Sequence, residues 1–134
     1  MSRCGKSCTA CPFIDTRKEW TIEDNKKWKT NKAVNCETFN CVYMIECQKC
    51  RKRYIGQTKR QFKARLADHR GYVNNKVLSQ PIGEHFNLPG HCLADLKTTI
   101  LEQVKHNNDI YRIEREKYMI NKFGTYYNGL NKEM

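Results

Sequence analysis

Eight cysteines in a chain of 134 residues restrict how this protein can fold more than any other feature. Cysteines at this density serve either as disulfides in secreted proteins or as thiolate metal ligands in intracellular ones. Residues 1–9 contain no apolar stretch of the signal-peptide type, and two residues separate Cys8 from Cys11 and Cys47 from Cys50. Both members of such a pair can reach one tetrahedral zinc from a tight turn. The sequence therefore favours zinc in an intracellular protein, with disulfides as the alternative.

One predicted zinc site lies in the polar segment near the N-terminus. Cys4, Cys8 and Cys11 supply three ligands, and the fourth is either Cys36, which we favour, or Cys41. Cys41 has a second interpretation, because a cysteine within a strand is often simply a small buried residue. The segment is too short to bury a core of its own, so we expect metal to hold it together.

The chain is strongly basic, with 25 Lys and Arg against 14 Asp and Glu and a formal net charge of +11. Such an excess attracts polyanions, of which nucleic acid is the commonest, although a solvated basic surface without a partner is the alternative. Phosphate contacts give a salt-dependent affinity and little sequence preference. No apolar run approaches the roughly 20 residues of a membrane helix, so we expect no membrane partner. The residues predicted to contact DNA phosphates are Lys49, Arg51, Lys52, Arg53, Lys59, Arg60, Lys63 and Arg70.

Residue type and periodicity predict three strands and two helices. The first two strands are rich in β-forming residues and flank Cys47 and Cys50, so they form a hairpin with a thiolate pair at its tip. Thr58 is the predicted N-cap of the first helix, and Gly124 the predicted end of the second. Residues 77–95 are rich in loop-forming Pro and Gly. The predicted strands cover residues 39–46, 53–57 and 96–104, and the helices cover 59–73 and 109–123.

Two further expectations concern local packing. In the second helix, Ile110, Ile113, Tyr118 and Ile120 are the predicted apolar positions. Residues 20–28 are a charged stretch that begins and ends with tryptophan. Their pattern fits a short hairpin and a short helix equally well.

The two predicted hairpin strands carry a pair of triplets, Cys41-Val42-Tyr43 and, after ten intervening residues, Tyr54-Ile55-Gly56. The first helix carries an arginine and a histidine four residues apart, which places both on one helical face. The second helix carries a glutamate, and an asparagine follows near the end of the chain. These four residues are Arg65, His69, Glu116 and Asn131.

In this combination the chain resembles the GIY-YIG nuclease family over residues 39–131. The first triplet departs from the family pattern, because Cys41 and Val42 stand where the family has Gly and Ile. Tyr43, the member that carries chemistry, is retained. The resemblance implies an α+β fold with a small central antiparallel three-stranded sheet flanked by helices. It divides the chain into a zinc-stapled N-terminal extension (1–38) and an endonuclease domain (39–134).

The resemblance also implies a metal-dependent hydrolysis of phosphodiesters, and the residues suit that chemistry. Tyr43 is the leading general base and Tyr54 positions the water or the phosphate, with the reverse assignment also open. Arg65 offers a planar set of donors to a phosphate oxygen. Glu116 is a hard oxygen ligand for Mg²⁺ or Mn²⁺.

Three other residues complete the expected site. His69 assists proton transfer or contacts phosphate. Asn131 orients the phosphate or holds the tyrosine framework. Glu114 is excluded, because it lies two residues from Glu116 and therefore faces another direction on the helix.

One branch of the family matches more closely, namely the endonuclease domains of Penelope-like retroelements. They resemble this chain in having Cys-x-x-Cys between the two tyrosine triplets and two histidines downstream. The corresponding residues are Cys47, Cys50, His85 and His91, with Cys92 as a possible substitute for His91. Four protein ligands leave no open position, so this Cys2His2 zinc is expected to be structural.

This branch implies an intracellular, nuclear protein that nicks DNA. The nick would free a 3′ hydroxyl to prime reverse transcription by a linked reverse transcriptase with its RNA. We expect a monomer, which would cut one strand. Two alternatives remain open at this stage: a catalytically inactive, zinc-stapled nucleic-acid-binding module, and a small disulfide-rich secreted binding protein.

Overall fold

The computed structural model describes residues 1–22, 25–105 and 108–133. The first sheet is a hairpin of β1 (Glu19–Thr21) and β2 (Lys27–Lys29), in which Trp20 pairs with Trp28. The two tryptophans therefore lie on paired strands and not on a helix. Trp20 is buried in a core that it shares with the larger sheet, so the hairpin lies against that sheet.

The larger sheet is antiparallel, with strand order β4–β3–β5. Its strands are β3 (Cys41–Cys47), β4 (Arg53–Thr58) and β5 (Leu96–Gln103). Every residue of β3 is buried, because both faces of this central strand are covered. Its side chains alternate between two cores, with Tyr43 in one and Met44 in the other. The predicted central three-stranded sheet is confirmed.

Helices cover both faces of this sheet. Phe62, Leu66 and Val73 of the first long helix pack into the core that contains Tyr43. The second long helix packs into the opposite core through Met119 and Phe123. No helix in the described residues is long and apolar enough to span a membrane. The helices are α1 (Phe62–Asn74), α2 (Pro81–His85), α3 (Asp109–Phe123) and α4 (Thr125–Asn128).

The start of α1 differs from the prediction. Thr58 is the last residue of β4 and pairs with Cys41, and its hydroxyl accepts from the N–H of Arg60, which lies outside the helix. The helix begins three residues after the predicted start of 59, and its N-cap, Gln61, makes no side-chain cap bond. Instead, the backbone N–H groups of Phe62 and Lys63 donate to the carbonyls of Thr38 and Cys36. The N-terminal segment therefore caps α1.

The predicted loop over residues 77–95 contains the short helix α2 and a 3-10 turn at Leu93–Asp95. Pro81 occupies the first turn of α2, where its fixed φ angle and missing N–H favour a helix start. Gly83 lets α2 approach the end of α1, since a Cβ there would lie 2.9 Å from the carbonyl oxygen of Tyr72. The prediction of a plain loop was wrong, because the helix-initiating role of this proline was missed.

The apolar face predicted for α3 was largely wrong. Ile110, Ile113 and Tyr118 are 71%, 38% and 45% exposed, and only Ile120 of the four predicted positions is buried. The buried face also contains a charged residue, Arg112. Its guanidinium donates to side-chain oxygens that tie α3 to the sheet and to its own first turn. These acceptors belong to Gln57, Asn40 and Asp109.

The ends of α3 follow ordinary capping chemistry. The side chain of Asn108 accepts hydrogen bonds from the N–H groups of Ile110 and Tyr111. At the other end, Gly124 adopts the left-handed conformation with φ 66°. This glycine ends the helix as predicted.

The N-terminal segment has no core separate from that of the sheet. Ala10, Ile14 and Val34 are buried in the same cluster as Tyr43. Ile14 forms an isolated parallel bridge with Thr98 on the outer edge of β5. The segment thus covers one sheet edge as well as capping α1. The domain boundary after residue 38 stays a prediction.

Candidate active site and cysteine clusters

The ring of Tyr43 crosses over the neighbouring strand at Gly56, its partner in the β3–β4 register. A Cβ at Gly56 would lie 2.6 Å from Cζ of Tyr43, closer than any such contact can be. Phe62 of α1 packs on the other side of the ring, with centroids 5.2 Å apart. The last residue of the Tyr54-Ile55-Gly56 triplet is therefore a glycine because the Tyr43 side chain occupies the place of its Cβ.

The hydroxyl of Tyr43 is held by two residues of α1. It lies 2.6 Å from Nε2 of His69, and Arg65 donates to it from Nε at 3.2 Å. Burial raises the pKa of Tyr43, and the charge of Arg65 only partly opposes this. Burial, helped by the charge of Arg65, lowers the pKa of His69 to about 3, so the imidazole is neutral at neutral pH. Tyr43 is fully buried and does not contact solvent.

The second tyrosine, Tyr54, lines an open cleft of about 480 Å³ together with Glu116. Tyr54 is only partly buried, so its hydroxyl is the one that bound water could reach. Burial raises the pKa of Glu116, while the charge of Arg65 opposes the shift. Among the described residues Glu116 has no ion-pair partner, whereas Glu114 is exposed and does not line the cleft. A half-buried, unpaired carboxylate is stabilised by any cation that enters the cleft.

Asn131 binds the free edge of β4 beside Tyr54. Its Oδ1 accepts from the N–H of Ile55 at 2.8 Å, and its Nδ2 donates to the carbonyl of Ile55 at 2.8 Å. The hydroxyl of Thr125 donates to the same Oδ1 at 2.6 Å. The amide thus replaces a neighbouring strand at one residue. Of the two predicted roles of Asn131, this geometry matches the one that holds the tyrosine framework.

Tyr72 also belongs to the site, although it was not among the predicted site residues. Arg65 donates from Nη1 to the Tyr72 hydroxyl and to Asp68, each at 3.4 Å. The Tyr72 ring packs edge-on against His69, with centroids 5.8 Å apart. Tyr72 lies seven residues after Arg65 and three after His69, which places all three on one face of α1. This spacing was the available signal.

Comparison with known proteins agrees with this arrangement. A family model for the GIY-YIG catalytic domain matches residues 39–131. The chain belongs to the GIY-YIG family. Among solved structures, the catalytic domain of the homing endonuclease I-TevI is similar in fold, with a TM-score of 0.57 and 22% sequence identity. That match covers 70% of this chain and 98% of the I-TevI chain. Comparison with curated proteins gives no match.

As a GIY-YIG nuclease, the protein acts on DNA and uses a divalent metal. Glu116 fits such an ion, because it offers a hard oxygen donor, is half-buried, and lies in the same cleft as Tyr54. Arg65 lies behind this pair, in contact with Tyr43. The six predicted catalytic residues therefore come from β3, β4, α1, α3 and the segment after α4, and they lie around the β4 edge of the sheet, between the two faces that α1 and α3 cover.

The N-terminal cysteine cluster consists of Cys4, Cys8, Cys11 and Cys36, whose sulfur atoms all lie within 4.8 Å of one another. The Sγ–Sγ distance is 3.5 Å for Cys4 and Cys11, 3.6 Å for Cys8 and Cys36, and 4.0 Å for Cys11 and Cys36. Thiolates about 2.3 Å from a tetrahedral zinc lie about 3.8 Å apart, so the cluster has the right size for this ion.

The thiols of the N-terminal cluster differ in their electrostatics, since burial raises the pKa of Cys11 and Cys36. Although burial opposes the shift, backbone N–H groups of Ala10 and Cys11 lower the pKa of Cys8 to about 7. The structure places Cys36, and not Cys41, at the fourth position. Cys41 is buried in β3, where burial raises its pKa to about 12, so it behaves as a small core residue.

The second cluster consists of Cys47, Cys50, His85 and His91, again with ligand atoms within 4.8 Å of one another. His91 donates from Nδ1 to the carbonyl of Pro89 at 3.2 Å. Its Nε2 is consequently unprotonated in the neutral ring, and this atom is buried without a hydrogen-bond partner in the described part of the chain. Such an orientation is typical of a zinc-ligating histidine.

All eight cysteines are free thiols. Six of them lie in the two groups of four ligand residues, an arrangement that is typical of metal sites and not of disulfide pairs. Cys92, the possible substitute ligand, stands apart from the second cluster. It is exposed, and its thiol contacts Asp95 at 3.7 Å. Both quartets of ligands are thus the ones favoured from the sequence.

The eight basic residues predicted to contact DNA do not form one uniform surface. Five of them bind protein groups. Arg51 and Arg53 pair with the buried carboxylate of Glu46, and Arg70 donates to the carbonyl of Thr9. Arg60 pairs with Asp68, and Lys63 with Glu37. Lys49, Lys52 and Lys59 are exposed and have no ion-pair partner among the described residues. The DNA contacts stay a prediction.

The crossing of Tyr43 over Gly56 can be tested with two alanine substitutions. Gly56→Ala should displace the Tyr43 ring, lower the free energy of unfolding by about 1–3 kcal/mol and reduce DNA cleavage. Gly71→Ala in α1 is the matched control, since its Cβ meets nothing within 4 Å. It should stabilise the helix by about 0.5–1 kcal/mol. Denaturant unfolding measures both changes, and a neutral Gly56→Ala variant would contradict the crossing.

The role of Asn131 at the strand edge predicts a pH-dependent effect. Asn131→Ala leaves both backbone groups of Ile55 unpaired and should cost about 2–4 kcal/mol of stability. Asn131→Asp keeps the acceptor but places a carboxylate against the Ile55 carbonyl, which raises the pKa of the new side chain in the folded state. Its stability should therefore be closest to wild type below about pH 4 and fall as the pH rises toward about pH 7. A pH-independent cost would argue against this pairing.

Proposed function

We propose that the protein is a metal-dependent endonuclease that nicks one strand of DNA. The observation that carries the proposal is the cleft in which Tyr54 and Glu116 meet, with the buried Tyr43–His69–Arg65 group directly behind it. Hydrolysis of a phosphodiester needs a base for the water, a donor for the phosphate and help for the leaving oxygen. The chain supplies residues for each of these.

We infer that the roles of the two tyrosines are the reverse of the leading assignment, with Tyr54 as the general base and Tyr43 as the positioning residue. Tyr43 is fully buried beneath α1 and across Gly56, so water cannot approach its hydroxyl. Tyr54 lines the cleft and is the tyrosine placed to orient water. Burial raises its pKa and the charge of Arg65 opposes this, so a bound cation would be needed for it to accept the proton of the water. The Tyr43 hydroxyl, which also contacts His69, then accepts from Nε of Arg65, whose remaining N–H groups bind a phosphate oxygen.

Glu116 would hold the divalent ion, Mg²⁺ or Mn²⁺. When bound, such an ion neutralises charge on the phosphate and stabilises the leaving oxygen. Burial raises the pKa of this carboxyl group because it destabilises the charged form, and a bound cation would stabilise that form. Asn131 acts on this site indirectly, since it fixes the edge of β4 that carries Tyr54.

We propose further that the protein belongs to the endonucleases of retroelements, of the Penelope-like kind. Support comes from the cluster of Cys47, Cys50, His85 and His91, which ties the β3–β4 turn to the segment after α1. In that setting the nick would prime reverse transcription by a linked reverse transcriptase with its RNA, in the nucleus. A monomer with one active site would leave the second strand intact.

The catalytic proposal is tested with supercoiled plasmid and Mg²⁺ or Mn²⁺. We expect wild type to give open circles before linear DNA. Glu116→Gln should lower the rate about 100-fold or more, because several kcal/mol of barrier reduction depends on the ion. Glu114→Gln, an exposed glutamate on the same helix, is the matched control and should nick at the wild-type rate.

Two outcomes would count against nuclease activity at this site. Equal nicking by wild type and Glu116→Gln would place the activity elsewhere or in a contaminant. DNA binding that weakens with salt, without any nicking, would favour the alternative of a zinc-stapled binding module.

We also propose that each cysteine cluster holds one structural zinc. Wild type should contain two zinc ions per chain by elemental analysis. Cys36→Ser should contain one, because it removes a ligand of the N-terminal cluster, whereas Cys41→Ser should retain both. One ion in wild type, or an equal loss in Cys41→Ser, would contradict this assignment of the fourth ligand.

A further inference from the structure

The cleft that contains Tyr54 and Glu116 extends beyond the groups that hydrolysis needs. With about 480 Å³ it has room for more than a phosphate group. Part of its lining comes from residues without any role in the chemistry. These residues are Gln80 and Pro81 at the start of α2 and Ile113 on α3.

Ile113 lies at the rim of this cleft although its sequence pattern predicts a core position. It is 38% exposed, and it precedes Glu116 by three residues and Ile120 by seven, so all three lie on the helix face that lines the cleft. A branched apolar side chain next to a metal-binding carboxylate is stabilised when a ligand covers it. In the described part of the chain no protein group does so.

The chemistry of the lining identifies what kind of group fits there. Any strand that brings a phosphodiester to Tyr54 and Glu116 also brings the attached sugars and bases. Lys117 and Lys132 also line the cleft and suit a phosphate, whereas Pro81 and Ile113 form an uncharged, apolar part of the lining. Flat nucleobases are held between such side chains and recognised through hydrogen bonds at their edges. The side-chain amide of Gln80, which has no hydrogen-bond partner among the described residues, offers both a donor and an acceptor.

We propose that this cleft binds one nucleobase of the cleaved strand, next to the scissile phosphate, between Ile113 and Pro81 and with its edge toward Gln80. The inference rests on the proposed nuclease function and adds a substrate contact to it. It predicts that the cleavage rate depends on the base at one position beside the cut. Phosphate contacts by the basic residues, in contrast, do not depend on the base.

The first experiment maps the wild-type cut and then removes the base at each flanking nucleotide in turn with an abasic analogue. We expect wild type to lose about tenfold in kcat/KM at one position and little at the others. Ile113→Ser should lose a similar factor on intact DNA and nothing further on the abasic substrate, whereas Ile113→Leu should behave as wild type. Tyr127→Ser, which is 77% exposed on α4 and outside the cleft, is the control.

The second experiment measures binding without metal, so it does not depend on cleavage. Duplexes carry the fluorescent base 2-aminopurine at successive positions, and insertion of that base into the cleft should raise its fluorescence as it leaves the stack. Ile113→Ser should abolish the increase. If wild type nicks no DNA but shows this increase, the nuclease proposal fails and the base site stands.

Two results would overturn the base site while leaving the nuclease intact. One is nicking of every abasic substrate at the rate of intact DNA, without any fluorescence increase. The other is that removal of the base lowers kcat/KM of Ile113→Ser by the same factor as it lowers kcat/KM of wild type.

Discussion

The packing of the Tyr43 ring across Gly56 is the contact on which the site geometry depends. It fixes the register in which β3 and β4 can pair with α1 above them, because the ring fills the space between the strand and Phe62. The same packing buries the hydroxyl, which therefore needs partners. His69 and Arg65 supply them from one face of α1. One apolar contact thus determines where the arginine of the site points.

Buried polar groups fix the positions of the other elements that carry predicted catalytic residues. The guanidinium of Arg112 joins α3 to the sheet, and its position one turn before Glu116 fixes where that carboxylate lies. The amide of Asn131 pairs with the edge of β4 next to Tyr54. Satisfied polar contacts of this kind add little net stability but restrict geometry strongly, since any displacement leaves a buried group unpaired. A site built from five separate segments requires that restriction.

Spacing rules predicted those parts of the structure that depend on neighbours in sequence. The hairpin of β3 and β4, the helical face shared by Arg65 and His69, and the two Cys-x-x-Cys pairs follow from distances along the chain. The grouping of Cys47 and Cys50 with His85 and His91 was implied by the family resemblance. The start of α1 could not be predicted in this way, because its cap is the backbone of Thr38 and Cys36, far away in sequence. The buried face of α3 was missed for a related reason. Arg112 is buried through partners on other elements, and no periodicity of apolar residues indicates that.

The two cysteine clusters lie at the ends of the strands and the helix that carry the predicted catalytic residues. Cys36 is a ligand of the N-terminal cluster, and its carbonyl also accepts the hydrogen bond from Lys63 at the start of α1. Cys47 and Cys50 sit at the turn between the two tyrosine strands, and His85 and His91 hold the segment that follows α1. Ligands of both clusters therefore lie at the two ends of the unit that carries Tyr43, Tyr54, Arg65 and His69. A modest hydrophobic core leaves these ends weakly held, so metal there would stabilise the catalytic geometry directly, and would do more than tie down a peripheral extension.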